Sequence, residues 1–121
     1  MPCIGIDIIE IARIEKAIAR WGEKFLSRVY TDEELRLYRK KPSSLAARFA
    51  AKEATIKALG KPSSGIGWRE VEILSDPRGK PLVHLHGRAK DQALSLCLCK
   101  MEISLSHSKE NAIALATGET Q

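Results

Sequence analysis

The chain has few aromatic residues and no long hydrophobic run. Aromatic residues make up 5% of its 121 residues, so aliphatic side chains must supply most of the buried surface. No apolar run approaches the roughly 20 residues that a membrane-spanning helix needs, which excludes that class of protein. The first residues, M-P-C-I-G-I-D, also lack the basic and apolar segments of a signal peptide. We therefore expect a cytoplasmic protein.

Cysteines are also few, and their spacing excludes the common cysteine-based sites. The three cysteines are Cys3, Cys97 and Cys99. Their number is odd, and the C-x-C pair has neither a zinc-site nor a thioredoxin spacing. We expect reduced thiols that are largely buried and have a structural role.

The usual motifs of nucleotide and metal chemistry are absent from the sequence. It contains no P-loop, Rossmann fingerprint, H-E-x-x-H or EF-hand loop, and no evident nucleophile paired with a base. The net charge of +5 favours anionic partners, such as nucleic acids, phosphorylated small molecules or acidic proteins. The charge does not choose among them, but it predicts that binding weakens with salt.

The spacing of apolar residues near the N-terminus predicts a strand followed by a helix. The strand has isoleucines at alternate positions, namely Ile4, Ile6 and Ile8. Asp7 then lies on the face opposite these isoleucines. Gly22 ends the helix. The apolar stripe of this helix consists of Ile11, Ile14, Ile18 and Trp21.

Another face of the same helix and the residues after it carry a row of cations. This basic row consists of Arg13, Lys16, Arg20 and Lys24. Glutamates are interspersed with it, so an ordinary solvated face is one interpretation. A surface that recognises an acidic partner is the other.

The remaining residues predict three helices and four strands. The capping-box pattern T-D-E-E at 31–34 opens a helix that runs to about Lys40. Ser44 can cap the next helix, which ends at Gly60, and K-P-S-S-G-I-G at 61–67 forms a glycine-rich turn region. A further helix is predicted from the apolar spacing between Ala89 and Cys97.

Two hairpins follow from alternation and turn chemistry. The segment S-D-P-R-G-K-P joins a strand around 71–73 to one around 83–85. M-E-I-S-L-S and N-A-I-A-L-A-T pair through H-S-K-E-N. His84 and His86 share one strand face, but no third ligand is nearby, so an exposed polar face is preferred to a metal site. The whole pattern predicts an α+β fold in a single domain of residues 1–121, with helices packed on an antiparallel sheet.

Three residues are unusual enough to suggest chemistry. Asp7 is a carboxylate in an isoleucine-rich strand, where it needs a partner or a cation unless it caps the next helix. Glu53 lies four residues after Phe49 on a helix row that begins apolar, but it can also form a simple surface pair with Lys57, worth about 0.3–0.5 kcal/mol. His107 follows the first strand of the last hairpin and can equally be a turn residue.

The segment R-F-A-A-K-E-A-T-I-K-A-L-G at 48–60 places cations on opposite sides of one helix. At about 100° per residue, Glu53 and Lys57 are about 40° apart, whereas Arg48 and Lys57 are about 180° apart. One small ligand cannot easily reach both cations. Either the ligand wraps the helix end, or two subunits share it, or one of the two cations is structural.

Three segments together resemble a known family. They are I-G-I-D-I-I-E-I-A-R-I near the N-terminus, R-F-A-A-K-E-A-T-I-K-A-L-G in the middle and I-S-L-S-H-S near the end. In order and spacing they resemble the holo-acyl-carrier-protein synthases, the small bacterial-type 4′-phosphopantetheinyl transferases, over nearly the whole chain. The resemblance implies Mg²⁺-dependent transfer of the phosphopantetheine group from coenzyme A to a serine of apo acyl carrier protein. Adenosine 3′,5′-bisphosphate is the implied product, and fatty acid biosynthesis is the implied context.

The resemblance also implies roles for particular residues. Asp7 and Glu53 match the metal-binding carboxylates, and the serine proton passes either to Glu53 or to a metal-bound water. Arg48, Lys57 and His107 match positions that line the coenzyme A site. The family is usually a homotrimer with active sites between subunits, which offers one answer to the opposed directions of Arg48 and Lys57.

In the basic row, Arg13 matches a position that docks the acidic carrier protein, and Arg20 extends the same face.

Two other functions compete with this interpretation. A nucleic-acid-binding module fits the net charge, but stacking aromatics and known recognition motifs are missing. The second is a domain that binds coenzyme A without transferring its phosphopantetheine arm. The intact pair of carboxylates and the histidine argue against it.

Overall fold

The computed structural model describes residues 2–60 and 65–120 and confirms an α+β fold of helices and antiparallel strands. Residues 61–64, the first part of the expected glycine-rich turn region, lie outside the described residues. The elements in chain order are β1 (Pro2–Glu10), α1 (Ile11–Trp21), α2 (Glu23–Val29), α3 (Asp32–Tyr38), α4 (Pro42–Leu59), a 3₁₀ turn (Trp68–Glu70), β2 (Val71–Ser75), β3 (Pro81–Leu85), α5 (Gly87–Ser95), β4 (Leu98–His107) and β5 (Asn111–Thr120).

The strands form one three-stranded sheet and one separate hairpin. The three-stranded sheet has the order β1-β5-β4, and both pairs are antiparallel. Among the strands that the structure describes, β2 and β3 pair only with each other. Both predicted hairpins are therefore confirmed. No described helix is long and apolar enough to cross a membrane.

The predicted alternation in β1 is confirmed, but the face that carries its isoleucines is exposed. Ile4, Ile6 and Ile8 are 54–64% exposed, whereas Gly5 on the other face is buried against α4. The sheet continues this exposed apolar surface into β5. We call it the isoleucine face, and its members are Ile4, Ile6, Ile8, Ile113 and Leu115.

Helix α4 lies unusually close to β1 because small residues face each other. A Cβ atom on Gly5 would lie 1.9 Å from the carbonyl oxygen of Ala54 and 2.8 Å from the amide nitrogen of Ala58. Only glycine at this position permits that approach. The contact brings the strand that carries Asp7 against the helix that carries Glu53.

The helix ends agree with the sequence patterns in most places. Gly22 and Gly60 end α1 and α4 as expected, each with a positive φ. The capping box between Thr31 and Glu34 is present, although α3 ends at Tyr38 rather than near Lys40. The prediction that Ser44 caps α4 is wrong. The helix begins at Pro42, whose fixed φ suits the first helical position.

The expectation that the cysteines are largely buried is also wrong. All three are free thiols, but Cys97 and Cys99 are exposed and Cys3 is partly exposed. Cys97 lies between α5 and β4 with a positive φ. Cys99 lies where the pairing of β4 with β5 shifts register. Turn and bulge positions expose side chains that a regular element would have covered.

The hairpin of β2 and β3 carries the expected polar face. His84 and His86 are both exposed, and the Nε2 atom of His86 lies 3.1 Å from a carboxylate oxygen of Glu72. Partial burial would raise the pKa of Glu72, but hydrogen bonds from Thr31 and His86 outweigh this effect and keep that pKa below its usual value.

A buried ion pair joins α3, α4 and β2. The Nζ atom of Lys52 donates to Glu34 at 2.8 Å, to the carbonyl of Val71 at 2.6 Å and to the carbonyl of Trp68 at 3.0 Å. Neither charged side chain is exposed to solvent. The second oxygen of Glu34 accepts from the amide of Ile73 at 2.7 Å. Burial lowers the pKa of Lys52 from its ordinary value, while the charge and hydrogen bond of Glu34 oppose that shift.

We predict that Lys52→Met lowers the free energy of unfolding by about 3–5 kcal/mol, because it leaves the Glu34 carboxylate buried without its cation. Urea unfolding followed by circular dichroism measures this loss. The matched control is Arg36→Met, which removes an exposed ion pair with Glu33 from helix α3 and should leave the transition nearly unchanged. Equal losses in the two variants would contradict the importance of the buried pair.

Candidate active site

The structure brings Asp7 and Glu53 together in one cleft. The cleft has a volume of about 340 Å³ and lies between β1, α1 and α4. Phe25 and Phe49 contribute apolar walls, and Arg13 of the basic row contributes a cation. Two carboxylates that are 46 residues apart in the chain therefore share one partly enclosed space, as the family resemblance implied.

Asp7 is paired with Lys57 across the contact between β1 and α4. The Nζ atom of Lys57 lies 3.0 Å from the Oδ1 atom of Asp7 and donates to the carbonyl of Ile6 at 3.1 Å. The alternative in which Asp7 caps helix α1 is wrong, because Glu10 is the N-cap residue and no side chain in the described ranges caps that helix. The surface pair considered for Glu53 and Lys57 is likewise replaced by the pair with Asp7.

Glu53 is half-buried and makes no hydrogen bond or ion pair with any residue in the described ranges 2–60 and 65–120. A carboxylate that has lost part of its hydration without gaining a partner is unfavourable unless a cation or donor comes to it. Phe49 lies one helical turn before Glu53 on α4, and both side chains line the cleft. Glu53 is therefore the group in this cleft that is best placed to receive a ligand.

The donor set fits Mg²⁺ better than a metal that needs a full protein cage. Among the residues that the structure describes, no group of three or more histidines, cysteines or carboxylates can hold a metal ion. Mg²⁺ typically uses one or two carboxylates and completes its shell with water and phosphate oxygens. Asp7 and Glu53 supply two such carboxylates and leave room for oxygens from a substrate.

Arg48 does not line this cleft. Its side chain is only 6% exposed, and it donates to the carbonyl of Ile73 at 3.2 Å and to the hydroxyl of Ser75 at 3.0 Å. The guanidinium also lies 3.6 Å from the ring centroid of Tyr38. Of the three explanations for the opposed cations, the geometry favours a structural role for Arg48 and leaves Lys57 at the surface.

His107 lies at the end of β4, apart from the two carboxylates. Its side chain is exposed, and its Nδ1 atom is 3.4 Å from the carbonyl oxygen of Ser108. Because β5 lies between β1 and β4, His107 is two strands away from the strand of Asp7, or about 10 Å across the sheet. Within one chain it is therefore a neighbour of the cleft rather than part of its lining.

The sequence patterns did not predict a second, larger cavity next to the first. It has a volume of about 780 Å³ and lies beside α2 and the 3₁₀ turn. Phe25 lines both cavities, and the rings of Phe49 and Trp68 are 5.7 Å apart. Trp21, expected in the apolar stripe of α1, is exposed and lines this cavity with Arg20 over its ring. Both tryptophans and both phenylalanines of the chain lie at or beside the two cavities.

The basic row runs along these two cavities. Arg13 lines the smaller cavity and Lys24 lines the larger one. All four members of the row are exposed. Cations therefore border a surface with aromatic walls, which suits a partner that is acidic and partly apolar.

Comparisons with known proteins agree on one family. Residues 3–116 match the model of a protein family that is described as the 4′-phosphopantetheinyl transferase superfamily. The chain is 48% identical to a holo-[acyl-carrier-protein] synthase of Herpetosiphon aurantiacus, with 98% of each chain covered. It is 50% identical to the synthase of the same name from Dehalococcoides mccartyi, which covers 95% of this chain and 96% of the relative.

Solved structures give the same result. The crystal structure of the Helicobacter pylori holo-[acyl-carrier-protein] synthase in complex with coenzyme A superposes with a TM-score of 0.85. The two sequences are 36% identical, and the match covers 96% of this chain and 99% of the other. Fold and sequence are thus similar over nearly the full length.

We predict that Arg48→Met lowers the free energy of unfolding by about 2–3 kcal/mol, because buried acceptors lose a charged donor. Urea unfolding checks this loss, with the exposed Arg78→Met in the turn between β2 and β3 as the matched control. Under conditions in which the variant is folded, Arg48→Met should bind coenzyme A nearly as tightly as the unaltered chain. Titration calorimetry measures this affinity. A large loss of affinity for coenzyme A with unchanged stability would instead show that Arg48 contacts coenzyme A.

Proposed function

The chain belongs to the holo-acyl-carrier-protein synthases of the 4′-phosphopantetheinyl transferase superfamily, and we propose that it performs the transfer in the cleft between Asp7 and Glu53. The enzyme moves the phosphopantetheine group from coenzyme A to an acyl carrier protein. The observation that supports this cleft most strongly is the half-buried Glu53 carboxylate, which has no partner among the described residues and faces the cleft that Asp7 also lines.

The chemistry explains why the chain needs no nucleophile of its own. The hydroxyl oxygen of the carrier serine attacks the phosphorus that bears the pantetheine arm. The bond from that phosphorus to the bridging oxygen of the pyrophosphate breaks, and adenosine 3′,5′-bisphosphate leaves with the electron pair. Such a reaction depends on positioning and on charge stabilisation rather than on covalent help from the protein.

Asp7 and Glu53 would hold Mg²⁺, which when bound neutralises charge on the pyrophosphate. Lys57 is 56% exposed beside Asp7 and can contact a phosphate oxygen without leaving the edge of the cleft. Glu53 faces the cleft directly and is the group in this chain best placed to accept the serine proton. Arg48 supports the site from within the protein by holding α4 against β2.

We further propose a homotrimer with active sites between subunits. The isoleucine face is a contiguous apolar surface on one side of the sheet, and monomeric proteins seldom leave such a surface to solvent. His107 is exposed and too far across the sheet to line the cleft of its own chain. We therefore propose that His107 lines the coenzyme A site in the cleft of a neighbouring subunit.

The basic row and the aromatic cavity are proposed to receive the acyl carrier protein. Arg13 and Arg20 are exposed, and Arg13 lies where the row meets the cleft of Asp7 and Glu53. Carrier proteins are acidic, so complementary charge would orient the serine toward the cleft. We place this activity in the cytoplasm, as part of fatty acid biosynthesis.

The purified chain, incubated with coenzyme A, Mg²⁺ and an apo carrier protein, should add the mass of one phosphopantetheine group to the carrier. We predict that Asp7→Ala and Glu53→Ala each reduce the initial rate by about 10³-fold or more, the scale on which charge-stabilising groups act in phosphoryl transfer. Mass spectrometry measures the product, and circular dichroism checks that both variants are folded. Asp91→Ala, a change at an exposed carboxylate on α5, should keep full activity.

Two results would count against this proposal. A folded Glu53→Ala enzyme with normal turnover and an unchanged response to Mg²⁺ would remove Glu53 from the metal site. Binding of coenzyme A with no mass gain on any carrier would favour a binding domain over a transferase.

We predict that the double reversal Arg13→Glu and Arg20→Glu raises the KM for the carrier about tenfold or more, since like charges would then face each other. The dependence of KM on salt should become weaker in the same variant. Lys90→Glu, on the exposed surface of α5, is the control and should change neither quantity. An unchanged KM and an unchanged salt slope in the double variant would place the carrier elsewhere.

A further inference from the structure

Lys57 forms an ion pair with Asp7 in the structure. Its Nζ atom contacts the Oδ1 atom of Asp7 at 3.0 Å and is held in place by the carbonyl of Ile6 at 3.1 Å. Glu53 lies one helical turn before Lys57, yet it does not share this cation. The two carboxylates therefore differ, because one has a partner and the other is open to the cleft.

The charges around the cleft leave little attraction for a free divalent cation. Asp7 and Glu53 contribute two negative charges, while Arg13 in the cleft lining and Lys57 beside Asp7 contribute two positive charges. A cation that enters alone must replace the ammonium at Asp7 and approach a site whose formal charges cancel. The pyrophosphate of coenzyme A would change this balance, because it brings negative charge for both the cation and Lys57.

We propose that Lys57 is a positioning residue with two partners. In the metal-free enzyme it holds the Asp7 carboxylate at the wall of the cleft. When coenzyme A arrives, Lys57 moves from Asp7 to a phosphate oxygen and frees the carboxylate for the cation. The cation and coenzyme A therefore bind with positive coupling, and Lys57 carries much of that coupling. This inference rests on the proposed metal role of Asp7 and Glu53.

The geometry of Lys57 permits this exchange. Its side chain is 56% exposed, so its ammonium can move into solvent or toward a phosphate without disturbing the core. The side chain of Asp7 is only 18% exposed and lies on a strand that is locked against α4 at Gly5. The lysine is thus the mobile member of the pair, and the aspartate is the fixed one.

The test uses Mn²⁺ as the probe, because its electron paramagnetic resonance signal reports the free ion directly. Binding of Mn²⁺ to the full chain is measured without coenzyme A for the unaltered protein, Lys57→Met, Lys57→Gln, Glu53→Gln and the control Lys90→Met. We expect both Lys57 variants to bind Mn²⁺ roughly fivefold or more tightly than the unaltered protein, since a competing cation is removed. Lys90→Met should match the unaltered protein, and Glu53→Gln should bind more weakly.

A second measurement repeats the titration with saturating coenzyme A. In the unaltered protein, coenzyme A should strengthen Mn²⁺ binding, and this coupling factor should fall in both Lys57 variants. If Lys57 only binds phosphate, its variants will lose affinity for coenzyme A while their affinity for Mn²⁺ alone stays unchanged, and that result overturns the inference. If no form binds Mn²⁺ and Glu53→Gln has no effect, the metal site itself fails, and the inference fails with it. Weaker Mn²⁺ binding in Glu53→Gln, with no gain in the Lys57 variants, keeps the metal site and rejects the exchange.

Discussion

The buried contact between Lys52 and Glu34 joins successive parts of the fold, namely α3, α4 and the 3₁₀ turn with β2. It connects α3 to α4, and the same ammonium reaches the carbonyl of Trp68 in the 3₁₀ turn and that of Val71 at the start of β2. Because all three ammonium hydrogens have acceptors, α4 has little freedom to rotate about its axis. Consecutive helical residues point about 100° apart, so fixing Lys52 inward also fixes the direction of Glu53 toward the cleft.

Three cations on α4 have different roles because they meet different surroundings. Arg48 and Lys52 face the interior and satisfy carbonyls and hydroxyls of the β2 region. Lys57 reaches the surface beside β1 and contacts a carboxylate of the cleft. In sequence these residues look alike, and helical periodicity separates their directions but not their environments. The free energy of burying a cation depends on the acceptors that other elements bring to it.

Local chemistry made much of the fold predictable. The capping box at Thr31, the glycines that end α1 and α4, and the turn between β2 and β3 all act through neighbouring residues. The start of α4 at Pro42 instead of a cap at Ser44 shows that two adequate local signals can compete. The exposure of the isoleucine face and of Cys99 was not predictable, because the alternation of a strand does not say which of its faces will be covered.

The candidate site was predictable in the same limited way. Asp7 and Glu53 stood out because each placed a carboxylate in an apolar pattern, and the structure brings both into one cleft. The partner of Asp7 was not evident, since the pair with Lys57 depends on how closely β1 approaches α4. The larger aromatic cavity was missed because its walls come from α1, α2 and the 3₁₀ turn, and no single segment contains the pattern.

The pairing of β1 with β5 also governs when the site can exist during synthesis of the chain. Within the part of the chain that the structure describes, β1 has only β5 as a strand neighbour, and Asp7 is opposite Ala114. Pairing across such a long separation is slow, because the entropy of closing the intervening loop is lost before any contact forms. A nascent chain that has not yet exposed β5 at the ribosome therefore leaves the backbone of β1 unpaired. The strand that carries Asp7 therefore gains its described hydrogen-bonding partner only after residues 111–120 have been synthesised, and until then one wall of the cleft lacks the support of the sheet.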